Sequence, residues 1–291
     1  MTKSRLASIL LMTLSLVFIT GIILLAVLLL LPLLAPRSQP PPPGSTVPPT
    51  QPFHSSTSLA GKFYYAGMPR TTASYPHHIL VLTNIGYVVG YDEDRKDPVW
   101  TCFRLFKVNN LKPPKRTGNF KTDNRTQSRV SSSVYAHSGY DMGHNAPDKA
   151  ISLCYGAEAV SETYLLSNVL PETPGLNRHA WMLLEKKEIE QYAQRFEETW
   201  TITGPIFDAK PKTLSGGVQI PRALYRIIVD EENGKPRALA FIIPQNVEST
   251  ASAGAYLTSV REIERETGLD FMSELPDDVE GRVETITNRI W

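Results

Sequence analysis

Apolar and polar positions along this chain fall into three regimes. Residues 6–34 are uncharged and mostly apolar, with Lys3 and Arg5 just ahead of the run and Arg37 just behind it. Residues 36–58 are rich in proline and small polar residues, as in the tracts 39–44 and 47–52. From about Gly61 onward, short β-branched and aromatic stretches alternate with turn residues, the pattern of a folded domain. Within it, residues 79–91 predict two strands and residues 98–105 a third. Residues 163–169 and 201–207 also read as strands. Residues 221–230 and 236–244 form a strand pair joined through Glu232-Asn233-Gly234, a strong hairpin signal. Ala180, Leu183, Leu184, Ile189, Tyr192 and Phe196 lie on one side of a helix expected from Asn177 to about Trp200. Ser259 and Glu262 make a capping box that opens a short helix, stopped by Gly268. Residues 145–153 read as a loop or short helix.

The first regime is too long for an ordinary signal peptide, whose apolar core has about 7–15 residues, and long enough for a bilayer, which needs about 20. It predicts a single-pass membrane anchor over residues 1–35, with a cleaved signal peptide as the alternative. The basic N-terminus favours a cytoplasmic N-terminus and a domain on the periplasmic or extracytoplasmic side; the mitochondrial inner membrane is the second placement. Residues 36–60 are a proline-rich linker, and at roughly 3.1 Å per residue of extended polyproline II it spans about 60–70 Å. The remaining residues, 61–291, form one domain.

Composition narrows the function little. The net charge is +1 in 291 residues, so any nucleic-acid surface must be local. One such stretch is residues 107–129, with Arg116, Lys121, Arg125 and Arg129, readable as a phosphate-contacting surface or as a solvated loop. Cys102 and Cys154 exclude a disulfide framework and a cysteine-rich zinc site, and leave open one bridge or two free thiols. A Walker-type phosphate loop, His-Glu-x-x-His and Gly-x-Ser-x-Gly are all missing from the sequence. His77-His78 has no partner at ligand spacing.

Candidate chemistry concentrates in Asp141-Met142-Gly143-His144-Asn145-Ala146-Pro147. Phosphodiester hydrolysis needs an activated water, relief of transition-state charge and a stabilised leaving oxygen. A neutral histidine can take the proton from water near neutral pH. A divalent cation beside the phosphate covers the two charges. Magnesium keeps most of its waters, so a single side-chain oxygen can hold it. One histidine and one asparagine therefore make a minimal site, and Ser167-Asn168 and Leu176-Asn177-Arg178-His179-Ala180-Trp181 follow in order. Asn177 also reads as a helix N-cap. Glu185, eight residues on, lies about 80° around that helix and roughly 12 Å along it, which suits one cleft but not one shared ion.

These segments resemble the DNA/RNA non-specific endonuclease family, the sugar-non-specific ββα-metal branch of the His-Me finger nucleases, to which mitochondrial endonuclease G belongs. The family's usual Asp-Arg-Gly-His is Asp-Met-Gly-His here, and the likeness extends over about residues 62–275. It implies an α+β fold: a central antiparallel sheet with packed helices and a ββα-metal (His-Me finger) active-site element, preceded in this chain by one transmembrane helix. Together with the anchor read from residues 6–34, it implies a membrane-anchored, Mg2+-dependent endonuclease, with Mn2+ as a substitute, acting on DNA and RNA without sequence preference. His144 is then the general base and Asn177 the metal-holding side chain, with Glu185 acting through metal-bound water or by orienting a neighbour. Asp141 fixes the loop, Asn168 positions that loop or polarises the histidine ring, and Arg116 clamps phosphate. Relatives often form homodimers. Two further readings keep the same residues: a domain that binds nucleic acid or a protein partner without cutting, favoured by Met142, and a phosphodiesterase for small phosphoesters.

Overall fold

Strand pairing is the organising feature of the computed structural model, which describes residues 61–113 and 118–291. All of these belong to one unit, Pro52–Trp291. The expected anchor and linker, and Arg116, lie outside the described residues. Among the described residues no helix is long and apolar enough to cross a membrane.

In chain order the strands are β1 (Arg70–Thr71), β2 (Ile79–Thr83), β3 (Val88–Asp92), β4 (Asp97–Phe106), β5 (Asp141–His144), β6 (Val169–Glu172), β7 (Glu198–Ile206), β8 (Ala223–Glu232), β9 (Lys235–Pro244), β10 (Leu257–Thr258) and β11 (Leu269–Asp270). Seven of them form one sheet in the order β10-β9-β8-β7-β4-β3-β2, and every neighbouring pair is antiparallel. The β8–β9 hairpin runs from Ala223↔Pro244 to Glu232↔Lys235. Its two-residue turn places Asn233 and Gly234 at φ 54° and 72°. Two positive φ values in succession match the twist of the flanking strands, and asparagine and glycine tolerate them best.

Among the described residues four helices flank the sheet: α1 (Asp148–Thr163), α2 (residues 176–196), α3 (Val260–Thr267) and α4 (Asp277–Thr285). The twofold alternation of strand side chains divides the core by face. Tyr225, Ile227 and Val229 of β8 pack in one cluster with Val260 and Ile263 of α3 and Val283 of α4. Leu224 and Ile228 face the other way, into a cluster with Leu170 of β6 and Leu176, Trp181 and Leu184 of α2. On that second face α1 contributes Ala150, Ile151 and Ala159 against Phe103 and Leu105 of β4. The α+β class with a central antiparallel sheet is therefore as expected.

Three local expectations change. Residues 163–169 are not a strand: α1 runs to Thr163, a 3-10 turn covers Leu166–Asn168, and β6 starts only at Val169. Helix α1 is longer than the short segment expected because it continues through Gly156, which sits at φ 86° and joins two helical halves. Helix α2 ends at Phe196 rather than near Trp200; Glu197 takes φ 70° and Trp200 lies in β7. The β-branched run Thr199, Thr201, Ile202, Thr203 outweighs the helical spacing there. The capped helix is as read: the Ser259 side chain accepts from Glu262 N at 3.2 Å, and Gly268 closes α3 with φ 70°. Cys102 and Cys154 are both free thiols.

Candidate active site

Strands β5 and β6 form a separate ribbon of four pairs, from Asp141↔Glu172 to His144↔Val169. Opposed residues share a ribbon face, so Asp141, Gly143, Leu170 and Glu172 lie on one side and Met142 and His144 on the other. Gly143 is required by close approach. A Cβ there would stand 1.9 Å from Oε1 of Glu172, which is fully buried across the ribbon. The following helix, α2, completes a strand–strand–helix unit, with α1 inserted between the two strands.

The His144 ring lies between Phe120 and Tyr164, with centroids 5.0 and 5.1 Å away. Below it, Asn168 brackets the next turn: Ala146 N donates to its Oδ1 at 2.9 Å, and its Nδ2 donates to the carbonyls of Ala146 and Thr163 at 3.1 and 3.0 Å. Asn168 is wholly buried, so these bonds account for its amide without any contact to substrate. Asn145 N donates to Asn168 O at 2.9 Å and ties the two strand ends together.

Helix α2 opens with a π-helical turn, Leu176–Trp181, and carries a second, Glu188–Tyr192. Such widened turns cluster at functional sites because they re-aim side chains. Here Asn177 and Arg178 both bond the same carboxylate: Asn177 Nδ2 donates to Asp141 Oδ2 at 3.1 Å, and Arg178 donates through Nε and Nη2 at 2.7 and 2.6 Å. Asn177 is not the N-cap: Gly175 before it is already helical, with φ −63° and ψ −44°, and Thr173 Oγ1 accepts from Leu176 N at 3.3 Å. The Arg178 hydrogen bonds hold the Asp141 carboxyl below the usual carboxylate range.

His144, Pro147, Asp148, Asn177, Arg178, Met182 and Glu185 line one cleft of about 210 Å3. The structure thus brings His144, Asn177 and Glu185 together, with Asp141 behind Asn177 and Asn168 behind the His144 loop. Arg116 falls outside the described residues. Its alternative, Arg125, is engaged elsewhere, donating to Asp123, Asn84 Oδ1 and Thr83 O.

Behind the cleft lies a charged layer with no counterpart in the sequence reading. Arg226 of β8 is fully buried, on the strand face otherwise occupied by Leu224 and Ile228. Its Nε stands 3.3 Å from Glu188 and its Nη1 3.5 Å from Glu185. Its guanidinium also lies 4.9 Å from the Trp181 ring and 5.7 Å from Phe103. Glu188 additionally accepts from the Thr201 hydroxyl. Burial pushes the Glu185 carboxyl up to about 7, with Arg226 opposing and Glu188 adding to the rise. Burial likewise raises Glu188 and lifts Glu172 well above the carboxylate range. Glu185 keeps 20% of its side chain open, toward the cleft it lines, so it is not an ordinary surface glutamate. A polar residue at an apolar position of strand alternation, as at Arg226, was the one available sequence signal for this layer.

The cleft's donors suit a hard divalent cation. Asn177 commits its NH2 end to Asp141, which leaves Oδ1 as its free coordinating end, and Glu185 adds carboxylate oxygen on the same cleft. Oxygen donors with room for retained water are what magnesium takes.

Comparison with known proteins adds relatives. The profile of the DNA/RNA non-specific endonuclease family matches residues 67–278. A nuclease of Nostoc sp. is 29% identical over 253 residues, covering 83% of this chain and 90% of the relative. Human mitochondrial endonuclease G is 26% identical over 213 residues, covering 65% and 68%. A mitochondrial nuclease 1 of Schizosaccharomyces pombe is 25% identical over 269 residues, covering 80% of each. Among solved structures, a chain of an EndoG/EndoGI complex superposes with TM-score 0.60 at 24% identity, covering 67% of this chain and 86% of that one, a likeness of fold.

Proposed function

The chain belongs to the DNA/RNA non-specific endonuclease family, and from that premise we propose that it is a divalent-metal-dependent endonuclease cutting DNA and RNA with little sequence preference. The observation that carries this reading is the convergence of His144, Asn177 and Glu185 on one cleft. His144 acts as the general base, its neutral imidazole taking the proton from the attacking water. Phe120 and Tyr164 restrict how that ring can turn. Asn168 is a positioning residue, acting on Ala146 and so on the backbone next to His144. Asp141 orients the Asn177 amide. Asn177 Oδ1, with Glu185 acting through water, would hold Mg2+ or Mn2+, and the ion would supply positive charge at the phosphate and leaving oxygen. Arg116 stays a proposed phosphate contact.

Residues 6–34 anchor the enzyme in a membrane, with the nuclease domain on the side opposite the N-terminus. The mitochondrial names of the human and fission-yeast relatives favour the inner mitochondrial membrane over the periplasmic placement. A homodimer is proposed on the resemblance alone and is read from the purified protein's mass in solution.

Plasmid DNA and RNA incubated with the full-length chain, with Mg2+ or with EDTA, test the reading. Cutting with Mg2+, none with EDTA, and a loss of about 10²–10⁴-fold in His144→Ala are expected. Asn177→Ala should lose cutting at ordinary Mg2+ and regain part of it at high Mg2+ or Mn2+. Met142, which offers no charge at a motif position, favours a second reading: binding without hydrolysis. Nucleic acid that the wild type retains yet leaves uncut in both Mg2+ and Mn2+ would select it.

A further inference from the structure

We propose that Arg178 is a phosphate-binding residue of the site, gripping the substrate phosphodiester that the water activated by His144 attacks; this rests on the nuclease reading above. A phosphodiester is an anion, and among the described residues lining the cleft Arg178 is the one permanent cation. Position 142 contributes none, since Met142 packs against the small core of Tyr135, Leu166 and Val169.

The geometry of Arg178 suits an oxyanion. Its side chain is 64% exposed. Asp141 holds it side-on, accepting one bond from Nε and one from Nη2. A guanidinium has five N–H groups, so three remain, two on Nη1 and one on Nη2, along the edge turned from Asp141. A planar fork of that kind takes two phosphate oxygens at once. The carboxylate grip also limits the rotamer freedom that an exposed arginine would otherwise lose on binding. An ion pair this exposed contributes little to folding, so stability is a weak reason for its presence. Asn177, the neighbouring residue, bonds the same carboxylate. One aspartate therefore aims a metal-holding amide and a cation at the same space.

The test uses the full-length chain in mild detergent, a short single-stranded DNA oligonucleotide, and three variants. Arg178→Ala and Arg178→Gln should each lose about 10²–10³-fold in kcat/KM. Glutamine retains a hydrogen bond to Asp141 but no charge, so it separates phosphate contact from loop support. Binding of the oligonucleotide in EDTA should become less salt-dependent in both, by about one unit of log–log slope. Arg178→Gln within threefold of wild type, with an unchanged salt slope, overturns the proposal while His144→Ala remains inactive. If His144→Ala cuts normally, the nuclease reading itself has failed. Equal melting temperatures of the variants and wild type exclude misfolding as the cause of any loss.

Discussion

Replacing Arg226 by methionine removes the single cation from the buried layer behind the cleft. Methionine keeps an unbranched stem against Trp181 and Phe103, so packing changes little and the charge is what is lost. Arg226 and Glu188 are both 0% exposed. Removing one partner of such a pair costs about 3–5 kcal/mol, because the other charge stays buried without compensation. At about 2–4 °C per kcal/mol for a domain of this size, the melting temperature should fall by about 6–20 °C. The deficit should also depend on pH. Burial raises the Glu188 carboxyl above its ordinary 4.5 even with Arg226 present, and without the guanidinium it rises further. A carboxyl with a raised folded-state value costs nothing below its unfolded value and costs more as pH climbs toward the folded one. Thermal melts followed by circular dichroism at pH 5 and pH 8 should therefore show the larger loss at pH 8. Adding Glu188→Gln to Arg226→Met should recover several degrees there, since glutamine is neutral and can keep a bond to Thr201. A loss below about 2 °C at pH 8, or an equal loss at both values, would refute the reasoning that Arg226 neutralises buried carboxylate.

Four other outcomes are expected. Glu185→Gln removes a carboxyl raised from 4.5 to about 7; at about 1.36 kcal/mol per unit this bounds its stability gain at about 3 kcal/mol. That gain should be seen in melts at pH 8, shrink to below about 1 kcal/mol near pH 5, and come with reduced cutting. Gly143→Ala drives a methyl into Glu172 and should cost roughly 1–3 kcal/mol, part of it recovered when Glu172→Ala is added, as a double-mutant cycle by chemical denaturation would measure. Met142→Arg should change kcat/KM by less than about tenfold if Arg178 already supplies charge; a hundredfold rise would show a cleft short of cations. The full-length chain should stay with membranes through a carbonate wash and keep its N-terminal residues, and a mature N-terminus near Ala35 or Arg37 would replace the anchor with a cleaved signal.

How much of this was legible depended on whether the deciding interaction was local. The Asn233-Gly234 turn and the Ser259 cap are set by a few adjacent residues, and both stand as read. Residues 163–169 have strand-like composition, but Asn168 spends its side chain on Ala146 and Thr163, contacts that hold a tight turn and that no local pattern announces. The helical spacing through Tyr192 and Phe196 was real, yet pairing of β7 with β4 and β8 claimed the residues beyond. At the site, the motif singles out His144 and Asn177 and by itself gives Arg178 no role. Only the tertiary approach of β5 to α2 shows that Arg178 meets Asp141. Arg226 was equally silent, because its partners, Glu185 and Glu188, lie some forty positions earlier in the chain.

The insertion of α1 between β5 and β6 makes the chain leave the ribbon after Asn145 and return to it at Asn168, where a 2.9 Å backbone bond closes the detour. Most of that detour is packed down, with Ala150, Ile151 and Ala159 in the core and Tyr164 against His144, but its bend is exposed. At that bend stands Gly156, at φ 86°, where a side chain would meet nothing within 4 Å. Lengthening a flexible excursion is cheap, about 0.6 kcal/mol per doubling. Gly156 is accordingly a port: a fluorophore, affinity handle or small folded cargo spliced in at that bend would ride on the enzyme while His144 and Asn177 keep their places.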